Sequence, residues 1–254
     1  MHIIDQFINE IVLTIIGFII GIFFKEPIEK KLRHLKTLYK SKKHPPLHVN
    51  IFFIDCSFFC SDQLKKLIYN QNKLQSLFEI EIPDWHLWEN RGAAEKKLTE
   101  LNTDSRLDFC NAFQAAMIDY HKDKKQSDHK AINLAITNLP FPKNYYTWNT
   151  KDKTGIVIGI RSLNALFNDA PQKVDMIVIR IIQRMLVFSK NIDGLVAHEN
   201  TRGCLFDLTP RLTDMQFSAE NTYICSQCKN AILKECGAEY FAEIDTWVKQ
   251  GIHQ

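Results

Sequence analysis

HVNIFFID, residues His48–Asp55, is the stretch that decides the fold class. It is short, β-rich and apolar nearly throughout, the pattern of a strand covered on both faces. Upstream, His44-Pro45-Pro46 ends any preceding helix, so a folded domain is expected over residues 47–254. Downstream, Leu64, Leu67 and Ile68 suggest a helix, and LFEIEI (Leu77–Ile82) alternates like a half-buried strand before Pro83. Phe109, Cys110, Phe113, Ala116, Met117 and Tyr120 recur at helical spacing, and the polar run His121–Lys130 reads as a solvated loop. INLAITNL (Ile132–Leu139) and GIVIGI (Gly155–Ile160) read as strands, the second of them central. The strongest helix carries Val174, Ile177, Val178, Ile181, Ile182, Met185 and Leu186 as an apolar stripe, with Lys173, Asp175, Arg180 and Arg184 outside it. Strands alternating with helices predict an α/β or α+β domain with one mixed sheet and packed helices.

The N-terminus departs from this pattern. Ile11 to Phe24 carries no charge, short of the roughly 20 apolar residues a span needs. Phe7 and Ile8 extend it. No basic residue precedes the run and no small-residue cleavage site follows, which disfavours a signal peptide. A transmembrane anchor over residues 1–24 is therefore expected. Lys25, Lys30, Lys31, Arg33, Lys36, Lys40, Lys42 and Lys43 follow as a basic juxtamembrane linker over residues 25–46. By the positive-inside rule the remainder would be cytoplasmic, giving a single-pass inner-membrane protein with its linker against anionic headgroups of the lipid bilayer.

Composition bounds the rest. With 45% hydrophobic and 24% charged residues, disorder is not the default. A net charge of +3 is too small to argue for nucleic acid. The 7 cysteines make an odd count without a disulfide-framework spacing, which favours metal ligation in a reducing compartment. Trp85, Trp88, Tyr145, Tyr146 and Trp148 are aromatic clusters more typical of core or rim than of ligand platforms. GIVIGIRS lacks phosphate-loop spacing, and no Ser-His-Asp arrangement stands out.

The chemistry gathers near the C-terminus. Cys225 and Cys228 have the Cys-x-x-Cys spacing that grips one side of a tetrahedral zinc. Cys204 offers a third thiolate, and Glu199, His198 or Cys236 a fourth ligand. A structural zinc lobe is expected over residues 198–236. HENTRGCLFD also holds His198, Glu199, Arg202 and Asp207 within one loop, which could form a rebuilt catalytic site with a His or Glu base and an Arg anion clamp.

The run from Leu186 to Leu233 resembles a degenerate archaemetzincin, a zinc metallopeptidase family with the pattern HExxHxxGxxHCxxxxCVM and a later CxxC. In the register that fits, His198 falls on the third histidine, Cys204 on the second cysteine, and Cys225 and Cys228 on the CxxC. The resemblance implies a metzincin-like fold whose structural zinc site is largely kept. It also implies lost catalysis, because Phe188 and Ile192 stand on the first two histidines, Ser189 on the catalytic Glu, Leu195 on the Gly and Glu199 on the first structural cysteine. The resulting expectation is a membrane-anchored binding or effector protein with protein partners, catalytically inactive, of the kind used in bacterial antiviral defence or toxicity. The alternative is a zinc-dependent hydrolase rebuilt around His198 and Glu199.

Overall fold

The computed structural model describes residues 46–55, 62–101, 105–124, 131–139, 145–209, 211–221 and 223–251. All of these but Pro46 belong to one unit, Leu47–Gln254. The expected anchor (1–24) and, but for Pro46, the expected linker (25–46) lie outside the described residues. Among those described, no helix is long and apolar enough to cross a membrane. The transmembrane part of the expected fold, and the bilayer partner and inner-membrane location built on it, are therefore withdrawn.

Five strands form one sheet in the order β2-β1-β3-β5-β4. They are β1 (Leu47–Ile54), β2 (Phe78–Glu81), β3 (Ile132–Thr137), β4 (Thr147–Asn149) and β5 (Gly155–Gly159). All neighbours run parallel except β4, an edge strand that pairs antiparallel with β5. The helices are α1 (Asp62–Leu74), α2 (Arg91–Glu100), α3 (Arg106–Asp123), α4 (Arg161–Leu166), α5 (Pro171–Ser189), α6 (Met215–Glu220) and α7 (Ser226–Gln250).

Alternation along β1 explains why its sequence is apolar on both sides. Val49, Ile51 and Phe53 join the larger core with side chains of α1, α5 and α7. Phe52 and Ile54 join the smaller one with α2 and α3. Phe52 is its aromatic hub, meeting Trp85, Phe113 and Tyr120 edge-to-face at centroid distances of 5.9, 6.1 and 5.6 Å. Trp85 and Trp88 are thus core residues, and their indole N–H groups donate to Phe53 O and Asp123 Oδ2.

Two expectations need correcting. The loop expected from His121 begins later, because α3 continues to Asp123 and buries His121. Its Nε2 lies 3.1 Å from Asn133 Oδ1, and Asn133 Nδ2 donates to Gln114 Oε1, so a polar network satisfies what would otherwise be stranded donors. On α5, Asp175, Arg180 and Arg184 are buried, not outside the stripe. A lobe built from residues 195–225 covers that side of the helix, which a period count on the helix alone does not reveal.

The last helix ties the lobe to the sheet. α7 is interrupted at Gly237, which has φ +85°. The segment before the kink carries Cys228 in its first turn, and the part after it places Ile244, Trp247 and Val248 in the larger core. There Trp247 Nε1 donates to Gln71 Oε1 at 2.8 Å, Gln71 Nε2 donates to Gly251 O at 3.2 Å, and Gln183 Nε2 donates to Trp247 O at 3.2 Å.

Candidate metal centre

After α5 the chain turns through Asn191 (φ +53°) and Gly194 (φ +73°) and returns toward the helix. A tight excursion follows. His198 N–H donates to Phe206 O at 2.9 Å, Leu208 N–H donates back to His198 O at 2.8 Å, and Asp207 N–H donates to Cys204 O. Gly203 sits at φ +83°, where a Cβ would stand 2.7 Å from Asn221 Cβ, so glycine is required both by conformation and by space. This turn delivers Cys204 beside Tyr223, whose carbonyl accepts from Leu205 N–H at 3.0 Å. Cys225 then caps α7 in an extended conformation, and Cys228 follows in the first helical turn. A helix N-terminus is a favourable place for thiolates, since free N–H groups and the dipole face them.

The outcome is a four-residue cluster. One donor atom each from His198, Cys204, Cys225 and Cys228 lies within 4.8 Å of all the others. His198 Nε2 is 3.2 Å from the sulfurs of both Cys225 and Cys228. Tetrahedral zinc, with Zn–S near 2.3 Å and Zn–N near 2.0 Å, separates its ligand atoms by about 3.5–3.8 Å. The cluster therefore needs only small side-chain adjustment to hold such an ion. His198, Cys204 and Cys228 are buried and Cys225 is half-buried. The thiols already act on one another. The hydrogen bond from Cys228 holds Cys204 well below the ordinary thiol range, against burial and with help from the N–H groups of Cys225 and Phe206. The same bond, together with burial and the charges of Cys204 and Cys225, pushes Cys228 up.

Two arginines support this lobe from α5. Arg184 donates to Asp207 O and to Tyr146 OH. Arg180 donates to Asn221 O at 2.6 Å, and burial draws its guanidinium down to about 10, opposed by the charge of Cys204. Neither stood out in the sequence as a site residue. The available signal was two cations at i, i+4 inside an otherwise apolar helix.

The other expected site residues separate. Glu199 is exposed and outside the cluster, and Cys236 packs from α7 against the larger core. Arg202 is exposed, and its backbone N–H donates to Asp207 Oδ2 at 2.6 Å. Asp207 is fully buried. A hydrolase rebuilt on His198, Glu199, Arg202 and Asp207 is thereby corrected, since the imidazole faces thiols while the carboxylate of Glu199 faces solvent. The archaemetzincin register is corrected at the same residue. There His198 would complete a catalytic triplet; here it completes a cysteine set. One histidine and three cysteines are not an HExxHxxGxxH motif. Phe188 instead stacks edge-to-face on Phe206 at 5.1 Å, Ser189 Oγ donates to Leu186 O, and Ile192 is buried in the core.

Next to the lobe lies a cleft of about 720 Å³. Tyr145, Tyr146 and Trp148 line it from the β4 side, Met185 and Phe188 from α5, and Leu195, Ala197 and Leu208 from the lobe. Tyr146 OH donates to Leu208 O, joining the two walls. The Arg106 guanidinium lies 3.6 Å from the Tyr145 ring centre and 3.9 Å from that of Trp148. Comparison with protein-family models, with curated proteins and with solved structures finds no match for this chain. The expected family membership is accordingly withdrawn, and what stands is a mixed α/β domain with a His/Cys cluster able to coordinate a metal ion.

Proposed function

We propose that this chain is a zinc-stapled, non-catalytic domain in which the metal fixes one wall of a ligand cleft. The observation carrying this reading is the convergence of His198, Cys204, Cys225 and Cys228 within 4.8 Å. Three thiolates and an imidazole favour zinc over hard oxygen-seeking cations. Four protein ligands fill a tetrahedral shell and leave no position for a substrate or an activated water, the distinction between structural and catalytic zinc. The lobe so held carries Leu195, Ala197 and Leu208 into the cleft. Aromatic and aliphatic walls beside the edge strand β4 suit an elongated, largely apolar ligand.

Metal content of the purified full-length chain tests the first half. The expected result is one zinc per chain, lost in Cys225→Ser and Cys228→Ser and kept in Glu199→Gln. A chain that retains no metal, or Cys225→Ser and Cys228→Ser variants that retain all of it, would overturn the reading. Zinc at 1,000 times its dissociation constant stabilises a fold by about 4 kcal/mol, so chelation should also lower the melting temperature.

A further inference from the structure

We infer that Arg180 is the built-in counter-charge of the metal centre, matching the net negative charge that a divalent ion carries once three thiolates and a neutral imidazole hold it. The inference rests on the metal reading above. Arg180 is buried on α5, and its Nε and Nη1 have no hydrogen-bond partner among the described residues. No described carboxylate forms an ion pair with it. A guanidinium in that setting is costly unless an anion accompanies it.

The placement points to which anion. Arg180 Nη2 donates to Asn221 O at 2.6 Å and reaches toward Gly203 O at 3.5 Å. Gly203 immediately precedes Cys204, and Asn221 opens the segment that leads to Cys225. One side chain thus holds both ligand-bearing segments. The charges that act on it are those of Cys204, Asp207 and Arg184. Within that set one carboxylate faces two guanidiniums, so the second cation is matched only by charge on Cys204. A trithiolate metal centre, net negative by one, fixes that charge beside Cys204 on the side of the cluster that Arg180 faces. Arg180 touches no metal ligand side chain as a donor and is a positioning residue, linked to the ion through charge and backbone.

Zinc affinity, measured by competition with a chromophoric chelator on the full-length chain, tests this. Partners beyond the ligand shell typically contribute 10–100-fold in metal affinity. Arg180→Gln, which keeps a donor for the carbonyls but no charge, should therefore weaken zinc by about 10–100-fold. Arg180→Lys should stay within a few-fold of the parent. In a Cys204→His background the loaded centre is neutral, and Arg180→Gln should then change little. Cobalt absorption reports the thiolate count in each variant. Parent-like affinity in Arg180→Gln, or equal losses in both backgrounds, overturns the inference. If Arg180→Gln loses its helical signal in chelator, Arg180→Lys decides, and a large loss there makes guanidinium shape and not charge the requirement. A parent chain that takes no zinc sinks the metal reading itself, a distinguishable result.

Discussion

His198 Nε2 lies 3.2 Å from Cys228 Sγ, joining a loop that leaves α5 to the first turn of α7. The relationship makes His198 the fourth donor of a cysteine set and removes it from any catalytic role at the end of α5.

His198→Cys should keep zinc, because a four-thiolate shell is equally tetrahedral. His198→Ala should lose affinity sharply, while Cys236→Ser should bind as the parent does. Cobalt-substituted protein checks all three, since its charge-transfer intensity grows with the number of sulfur ligands. Parent-like cobalt binding in His198→Ala would remove the imidazole from the shell.

Restoring the peptidase letters should not restore a peptidase. A variant with Phe188→His, Ser189→Glu and Ile192→His still has His198 committed to Cys225 and Cys228. Its metal content should remain at one zinc, and casein cleavage should stay at background. Burying polar groups where Ile192 packs should also lower stability by a few kcal/mol. Proteolysis above background, abolished by a chelator, would contradict the assignment of His198.

Gly203→Ala should destabilise the lobe by roughly 1–3 kcal/mol, the usual cost of forcing extra volume into a packed site. The new methyl would meet Asn221 Cβ at 2.7 Å in a backbone region that L residues disfavour. Denaturant unfolding measures the cost, and a cobalt titration should show weaker binding in the same variant.

Gln71→Leu should cost about 1–3 kcal/mol by stranding Trp247 Nε1, which has lost its acceptor in a fully buried place. Trp247→Phe in the same background should recover part of that loss, because no indole donor remains. Melting temperatures of the single and double variants provide the cycle.

Alkaline stability should depend on Cys110. Burial pushes its thiol from 9.0 up to about 12. The folded value is raised, so its contribution is fully present below pH 9 and is lost as pH rises toward 12. Cys110→Val removes an ionisable group without opening much space. Melting temperature plotted against pH should therefore fall less steeply between pH 9 and 12 in the variant than in the parent.

Legibility in the sequence followed the range of the interactions. β1, β3 and β5 showed as nearly unbroken apolar runs because both sheet faces are covered. α5 showed through its stripe, and Cys225-x-x-Cys228 through its spacing. β4 did not, since Thr147–Asn149 is short and is defined by its pairing with β5. Nor did the burial of Arg180 and Arg184, which depends on a lobe folding back over α5. The choice of His198 over Glu199 and Cys236 was open for the same reason. Adjacent residues in a loop face opposite ways, and only the backbone exchange between His198, Phe206 and Leu208 sets which one turns inward.

Gly237 gives α7 two allegiances. Its first segment answers to the cluster through Cys228, and its second to the sheet through Trp247. Withdrawal of metal should consequently open the molecule in parts, with amides of residues 198–236 exchanging early while those around Trp247 and the central strands stay protected. The kink is then a seam along which one domain can loosen without coming apart.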